Sequence, residues 1–217
     1  MLRKIDMGVY FEALILYMVL FLSGSMGRAE GPVDFSVAAE LTRIFLYSIP
    51  SLALIWYLLL KVKSFKDWEI GLPNKKDLFA GLLSLLGLLL IGFTIAFATS
   101  FFNATSGETG LSSPSSVPGW IILSVSCISS AYLEESFFRF YFLSRQEELK
   151  LSGGSALLLS TIAFSICHFY EGPWGFLNSF LSGILLCYIF LRYKSLHGIA
   201  LAHGLYNIIV YILSAVH

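Results

Sequence analysis

Leu78-Phe-Ala-Gly-Leu-Leu-Ser-Leu-Leu-Gly-Leu-Leu-Leu-Ile-Gly-Phe-Thr-Ile-Ala-Phe-Ala-Thr-Ser-Phe-Phe102 runs for 25 residues without a charged side chain. It shows no alternation of period two, so it does not read as a strand with one wet face. A block of about 20 apolar residues matches the hydrocarbon thickness of a bilayer, which points to a transmembrane helix. Working outward, six further blocks follow the same pattern: Val9–Met26, Leu41–Leu60, Trp120–Leu143, Ala156–Tyr170, Phe176–Leu191 and Ile199–Val216. Together with Leu78–Phe102 they predict an all-α, polytopic bundle of about seven spans, and the connections between them leave no room for a soluble domain. The composition agrees: of 217 residues, 57% are hydrophobic and 13% charged, against about a quarter charged in soluble domains. The formal net charge is zero, so no basic surface suggests a nucleic-acid partner.

The positive charges sort by side. Arg3 and Lys4 precede the first block, and Lys61, Lys63, Lys66, Lys75 and Lys76 lie between the second and third. Arg145 and Lys150 lie between the fourth and fifth, and Arg192 and Lys194 between the sixth and seventh. The remaining connections hold Arg28, with Arg43 at the start of the second block. Cytoplasmic loops collect Lys and Arg, so the N-terminus is expected inside and the C-terminus outside; the expected location is the plasma membrane. The Ser- and Gly-rich loop 103–118 has no Lys or Arg and reads as external. Gly81, Ser84, Gly87 and Gly183 are small enough to let helices approach closely.

Ionisable groups within a bilayer are costly and mark function or tight pairing. Here they concentrate in three places: Tyr132-Leu-Glu-Glu-Ser-Phe-Phe-Arg139, Phe164-Ser-Ile-Cys-His168 and His203-Gly-Leu-Tyr-Asn207. Residues four apart share a helix face, which pairs Glu135 with Arg139 and His203 with Asn207. Glu134 then points about 100° away from Glu135. The fourth and fifth spans are expected to form a hairpin turning at Ser152-Gly153-Gly154, which sets Glu134 and His168 at one depth. Counted from Lys194, His203 and Asn207 reach a similar level, about 13 to 20 Å into the membrane. The pair Glu135–Arg139 reads as structural. Glu12, within the first span, reads either as an interfacial residue or as a partner of the polar group.

Several chemistries find no support. G-x-S-x-G and H-E-x-x-H are both absent, and Asp6, Asp34, Asp67 and Asp77 fall outside the spans or at their ends. Cys127, Cys167 and Cys187 form no C-x-x-C pair and read as small buried side chains. What remains is a glutamate, two histidines and an asparagine. A glutamate paired with an imidazole can hold and deprotonate a water, while a second imidazole and a carboxamide can donate to an oxyanion.

In this order on successive late spans, Glu134-Glu135-x-x-x-Arg139, Phe164-x-x-x-His168 and His203-x-x-x-Asn207 resemble the motifs of the CAAX-protease and bacteriocin-processing family of intramembrane endopeptidases, the Abi family. The resemblance covers about residues 118–214. It implies that Glu134 and His168 activate the water, that His203 and Asn207 form the oxyanion site, and that Glu135 and Arg139 support them. It divides the chain into an N-terminal three-span region, 1–117, and a catalytic core, 118–217, packed as one membrane domain. The expected substrate is a membrane-associated or lipid-anchored peptide or protein tail in the bilayer. No cofactor is expected; the alternative is zinc on Glu134, His168 and His203. The rival reading is a non-catalytic membrane scaffold or immunity protein of the same fold. A transporter is weaker still, since no helix breaks occur at matching positions of two halves.

Overall fold

The computed structural model describes residues 7–23, 35–63, 68, 70–101 and 112–215. Arg3, Lys4, Asp6, Arg28, Asp34, Lys66, Asp67 and His217 lie outside them. All regular structure in the described residues is helical. Among the described residues seven helices follow one another. α1 is Met7–Leu16, continued by the wider π-type turn Tyr17–Leu22. α2 spans Val37–Val62, with a π-type stretch at Arg43–Ser48, and α3 spans Lys75–Phe101. α4 spans Val117–Ser144, with a π-type stretch at Ser136–Tyr141. α5 is Gly153–Cys167, α6 Gly172–Tyr193 and α7 Leu196–Ser214.

Five of these, α2, α3, α4, α7 and α6 with the short 3₁₀ turn Phe169–Glu171 before it, are long and apolar enough to cross a membrane. Among the described residues the other two apolar helices, Gly8–Leu22 and Gly153–Cys167, are shorter than a span. Each expected segment thus corresponds to a helix, but α5 stops at Cys167, three residues before the expected edge at Tyr170. The chain is an integral membrane protein. Outward-facing Leu and Phe side chains on α3, such as Leu86, Leu90 and Phe93, are about two-thirds or more exposed, as lipid-facing groups would be.

Serines start four of the helices. Ser36, Ser116, Ser152 and Ser195 each accept a hydrogen bond from the backbone N–H three residues on, satisfying one of the free donors of the first turn. Ser152 corrects the expected hairpin. Because it caps α5, Gly153 and Gly154 are helical, and the chain reverses earlier, over 145–151. Arg145 is also no free loop charge. It is buried, bonded to Glu12 at 2.5 Å and to Glu148 at 2.8 Å. Tyr141 donates to Glu12 at 2.6 Å, so Glu12 ties α1 to the end of α4 rather than to the polar group further in.

Close helix crossings come from glycine. A Cβ on Gly198 of α7 would lie 2.5 Å from the Asp77 carbonyl, and one on Gly81 of α3 3.2 Å from the Gly198 carbonyl. The same joint is locked by Ser195, whose hydroxyl donates to Asp77 at 2.5 Å. On the other side of α7, a Cβ on Gly204 would stand 3.0 Å from Ile128 Cα of α4. α7 is therefore clamped between α3 and α4, and His203 is carried into the bundle beside its Gly204 contact.

Candidate active site

Glu134 and Glu135 close the regular part of α4, and Ser136 opens its π-type stretch. Such stretches widen the helix locally and often occur at functional sites. Glu135 and Arg139 are both fully buried, with Arg139 Nη1 donating to Glu135 Oε1 at 3.0 Å. The guanidinium also lies 4.2 Å from the centre of the Phe164 ring, a cation–π contact from α4 to α5. A charge pair this deep is held by its partners and not by water.

Glu135 has a second partner. His203 Nδ1 stands 2.8 Å from the same Oε1. A carboxylate oxygen accepts, so Nδ1 carries the proton and Nε2 is the nitrogen left for chemistry. That Nε2 faces Glu134, 3.8 Å from its Oε2. The distance is beyond a direct hydrogen bond and within reach of a group held between them. Glu134 is about a quarter exposed, whereas His203 and Glu135 are buried. One carboxylate is therefore partly open while its neighbour is enclosed by protein.

His168 caps α5 with φ −103° and ψ 9°, in the sparsely populated bridge region. Its Nδ1 is 2.9 Å from the Phe164 carbonyl. Because a carbonyl can only accept, Nδ1 is the donor and Nε2 carries the lone pair. The Phe164 ring stands between the two imidazoles, with centroids 4.5 Å from His168 and 6.0 Å from His203. Glu134, Glu135, Arg139 and His203 thus form one contiguous group, and His168 joins it across Phe164 without a bond to Glu134 among the described contacts. Asn207 lies one turn beyond His203 on α7, half-buried.

Buried polar atoms are almost always paired. Here Glu134 Oε2, Glu135 Oε2, Ser136 Oγ, and Arg139 Nε and Nη2 are buried with no hydrogen-bond partner among the described residues. The motif alone did not reveal these, nor the double role of Glu135, because both depend on how α4, α5 and α7 meet. His197 lies elsewhere, between Tyr132 at 3.0 Å and the Gly71 carbonyl at 2.9 Å. Among the described residues no three His, Cys, Asp or Glu side chains converge as metal ligands. One nitrogen of His203 and one of His168 are already committed to protein acceptors.

Residues 116–209 match the family model described as Rce1-like, type II CAAX prenyl endopeptidase Rce1-like. No curated protein and no solved structure matches the chain.

Proposed function

We propose, from the match of residues 116–209 to the Rce1-like family model, that the chain is an intramembrane endopeptidase of glutamate type. Its substrates are membrane-associated or lipid-anchored peptide and protein tails. The observation that carries the reading is the buried, unpartnered Glu134 Oε2 facing His203 Nε2 at 3.8 Å.

In this mechanism a water lies between Glu134 and the Nε2 lone pair of His168. Glu134 takes one proton as the water oxygen bonds to the scissile carbonyl carbon. The carbonyl π electrons move to oxygen, which becomes the oxyanion. His203 and Asn207, one helical turn apart, donate to that oxygen. His203 donates from Nε2 only when it carries both ring protons, since Nδ1–H is given to Glu135. The Glu135–Arg139 pair holds the imidazole in that orientation. When the oxyanion collapses, the C–N bond breaks and the proton on Glu134 passes to the leaving amine. A base or an oxyanion donor of this kind contributes on the order of a hundredfold or more in rate.

The test is mass spectrometry of prenylated and unprenylated membrane peptides incubated with the purified protein and with Glu134→Gln. Cleavage by wild type and not by the variant is the expected result. Equal cleavage by both overturns the mechanism.

A further inference from the structure

Three residues of α4, Ser126, Ser130 and Glu134, stand on one face of the helix at steps of four. A serine inside a helix normally bonds its hydroxyl back to a carbonyl of the preceding turn. Ser124 and Ser129 do so, to the Trp120 carbonyl at 2.7 Å and the Ser126 carbonyl at 3.0 Å. Ser126 does not. It is fully buried, and its Oγ has no hydrogen-bond partner among the described residues. Ser130 turns instead to α2, where the fully buried Ser48 stands 3.4 Å away. A hydroxyl left bare in the interior is costly, so buried ones are paired by protein or by ordered water.

The face looks at α2. Ile128, turned about 160° from Ser126, is the residue that meets Gly204 of α7. Successive members of the face are about 6 Å apart along the axis. That is too far for a direct hydrogen bond between two serines, and it matches two bonds of about 2.8 Å through one water. Helical side chains lean toward the start of their helix, which directs the longer Glu134 side chain back over the turn of Ser130. Glu134 Oε2 is itself buried and without a hydrogen-bond partner among the described residues. Ser126, Ser130 and Ser48 thus offer one water three hydroxyls, and Ser130, Ser48 and Glu134 offer a second water three groups. A buried water needs two to four such partners. Ala131, Leu133 and Phe137 are buried and apolar around the face, and Leu123, buried one turn before Ser126, closes its far end. The hydroxyls therefore lead toward Glu134.

Each cut consumes one water, and a site walled by such side chains needs the next one at hand. Resting on the protease reading, we propose that Ser126, Ser130 and Ser48 form a water-binding site between α2 and α4 that holds hydrolytic water and passes it to Glu134. Once Glu134 has given its proton to the leaving amine, the water beside Ser130 and Ser48 moves onto the carboxylate, and only hydrogen bonds are exchanged. A serine kept merely for its small size behaves otherwise: removing a bare buried hydroxyl stabilises the fold and costs no activity.

The experiment compares full-length wild type, Ser126→Ala and Ser130→Ala in nanodiscs. Ser124→Ala is the control, since its hydroxyl already bonds within the helix. The readouts are kcat and KM on a membrane peptide that wild type cuts, the unfolding temperature, and crystal structures of wild type and Ser126→Ala that resolve ordered water. Both test variants are expected to lower kcat about fivefold or more with KM unchanged and no rise in unfolding temperature. Ser124→Ala should match wild type, and water should bond Ser126 Oγ. Unchanged kcat in Ser126→Ala overturns the inference, as does an equal loss in Ser124→Ala. So does a Ser126 hydroxyl bonded to the Ile122 carbonyl with no water beside it. If wild type cuts no peptide, the protease reading fails by itself, and the water site is decided by the structures. Water beside Ser126 Oγ that is lost in Ser126→Ala supports the site, and its absence from wild type overturns it.

Discussion

Glu135 accepts from Arg139 and from His203 through one oxygen, whereas Glu134 bonds neither, and this division separates two kinds of variant. Glu134→Gln, His168→Ala and His203→Ala are expected to lower turnover a hundredfold or more while leaving the thermal unfolding of Glu134→Gln and His168→Ala near wild type. Glu135→Gln and Arg139→Ala each strand a buried partner, a loss of about 3–5 kcal/mol, and should lower the unfolding temperature and the yield together with activity. A stable, inactive Arg139→Ala protein would move Arg139 into the chemistry. Metal dependence is decided by the same atoms. Asn207 is a poor zinc ligand, and with Glu135 bound to Arg139 no free carboxylate remains as base if Glu134 binds metal. Activity is therefore expected to survive exhaustive chelation, with no stoichiometric zinc by elemental analysis. One zinc per chain, lost and restored together with activity, would make His203 a ligand. The motif spacing already gave the Glu135–Arg139 pair and turned Glu134 away from it. His203 reaching Glu135, and the Arg139–Phe164 stack, depend on three helices meeting and left no mark in the spacing.

At the scale of the element, glycine decides which helices touch. Gly81, Gly87 and Gly183 were legible as small residues in apolar runs, and each faces a neighbouring helix. Gly204 was not, because a glycine beside a histidine reads as part of the polar motif. It sets the α4–α7 distance: a side chain there meets Ile128 Cα, which is backbone and cannot swing aside. Gly204→Val is expected to separate His203 from Glu134, reducing activity at least tenfold and lowering the unfolding temperature. Gly154→Ala is the contrasting case. A Cβ there has open space, so the variant should be neutral or more stable by a few tenths of a kcal/mol to about 1 kcal/mol. Equal damage from both would mean that α7 does not rest on α4 through Gly204. The expected Ser-Gly-Gly turn failed for a related reason. Glycines suggest reversal, but a preceding serine with a free hydroxyl makes a helix start, and the cap prevailed.

For the whole molecule, the loops gather into two ends that the charge asymmetry alone had sorted. At one end His197 meets the Gly71 carbonyl, Ser195 meets Asp77, and the Tyr10 hydroxyl donates to the Leu149 carbonyl. At the other, Ser112 accepts from the Phe35 amide and Ser113 donates to the Tyr211 carbonyl. Every described loop rich in Lys and Arg falls at the first end, so one orientation satisfies them all. Hydropathy could not show that α5 is shorter than a span, since apolar residues also continue past its end at Cys167. Orientation is open to direct measurement because Cys127, Cys167 and Cys187 are all buried and unpaired, which keeps background labelling low. Lys63 and Glu147 lie exposed at the first end, and Ser113 lies half-buried at the second. Glu147 is a better probe than Lys150, whose positive φ of 48° disfavours most replacements. With an impermeant maleimide on intact cells, Ser113→Cys is expected to label, whereas Lys63→Cys and Glu147→Cys should label only after permeabilisation. Labelling of Lys63→Cys in intact cells would invert the bundle and turn the Arg43 end of α2 toward the cytoplasm.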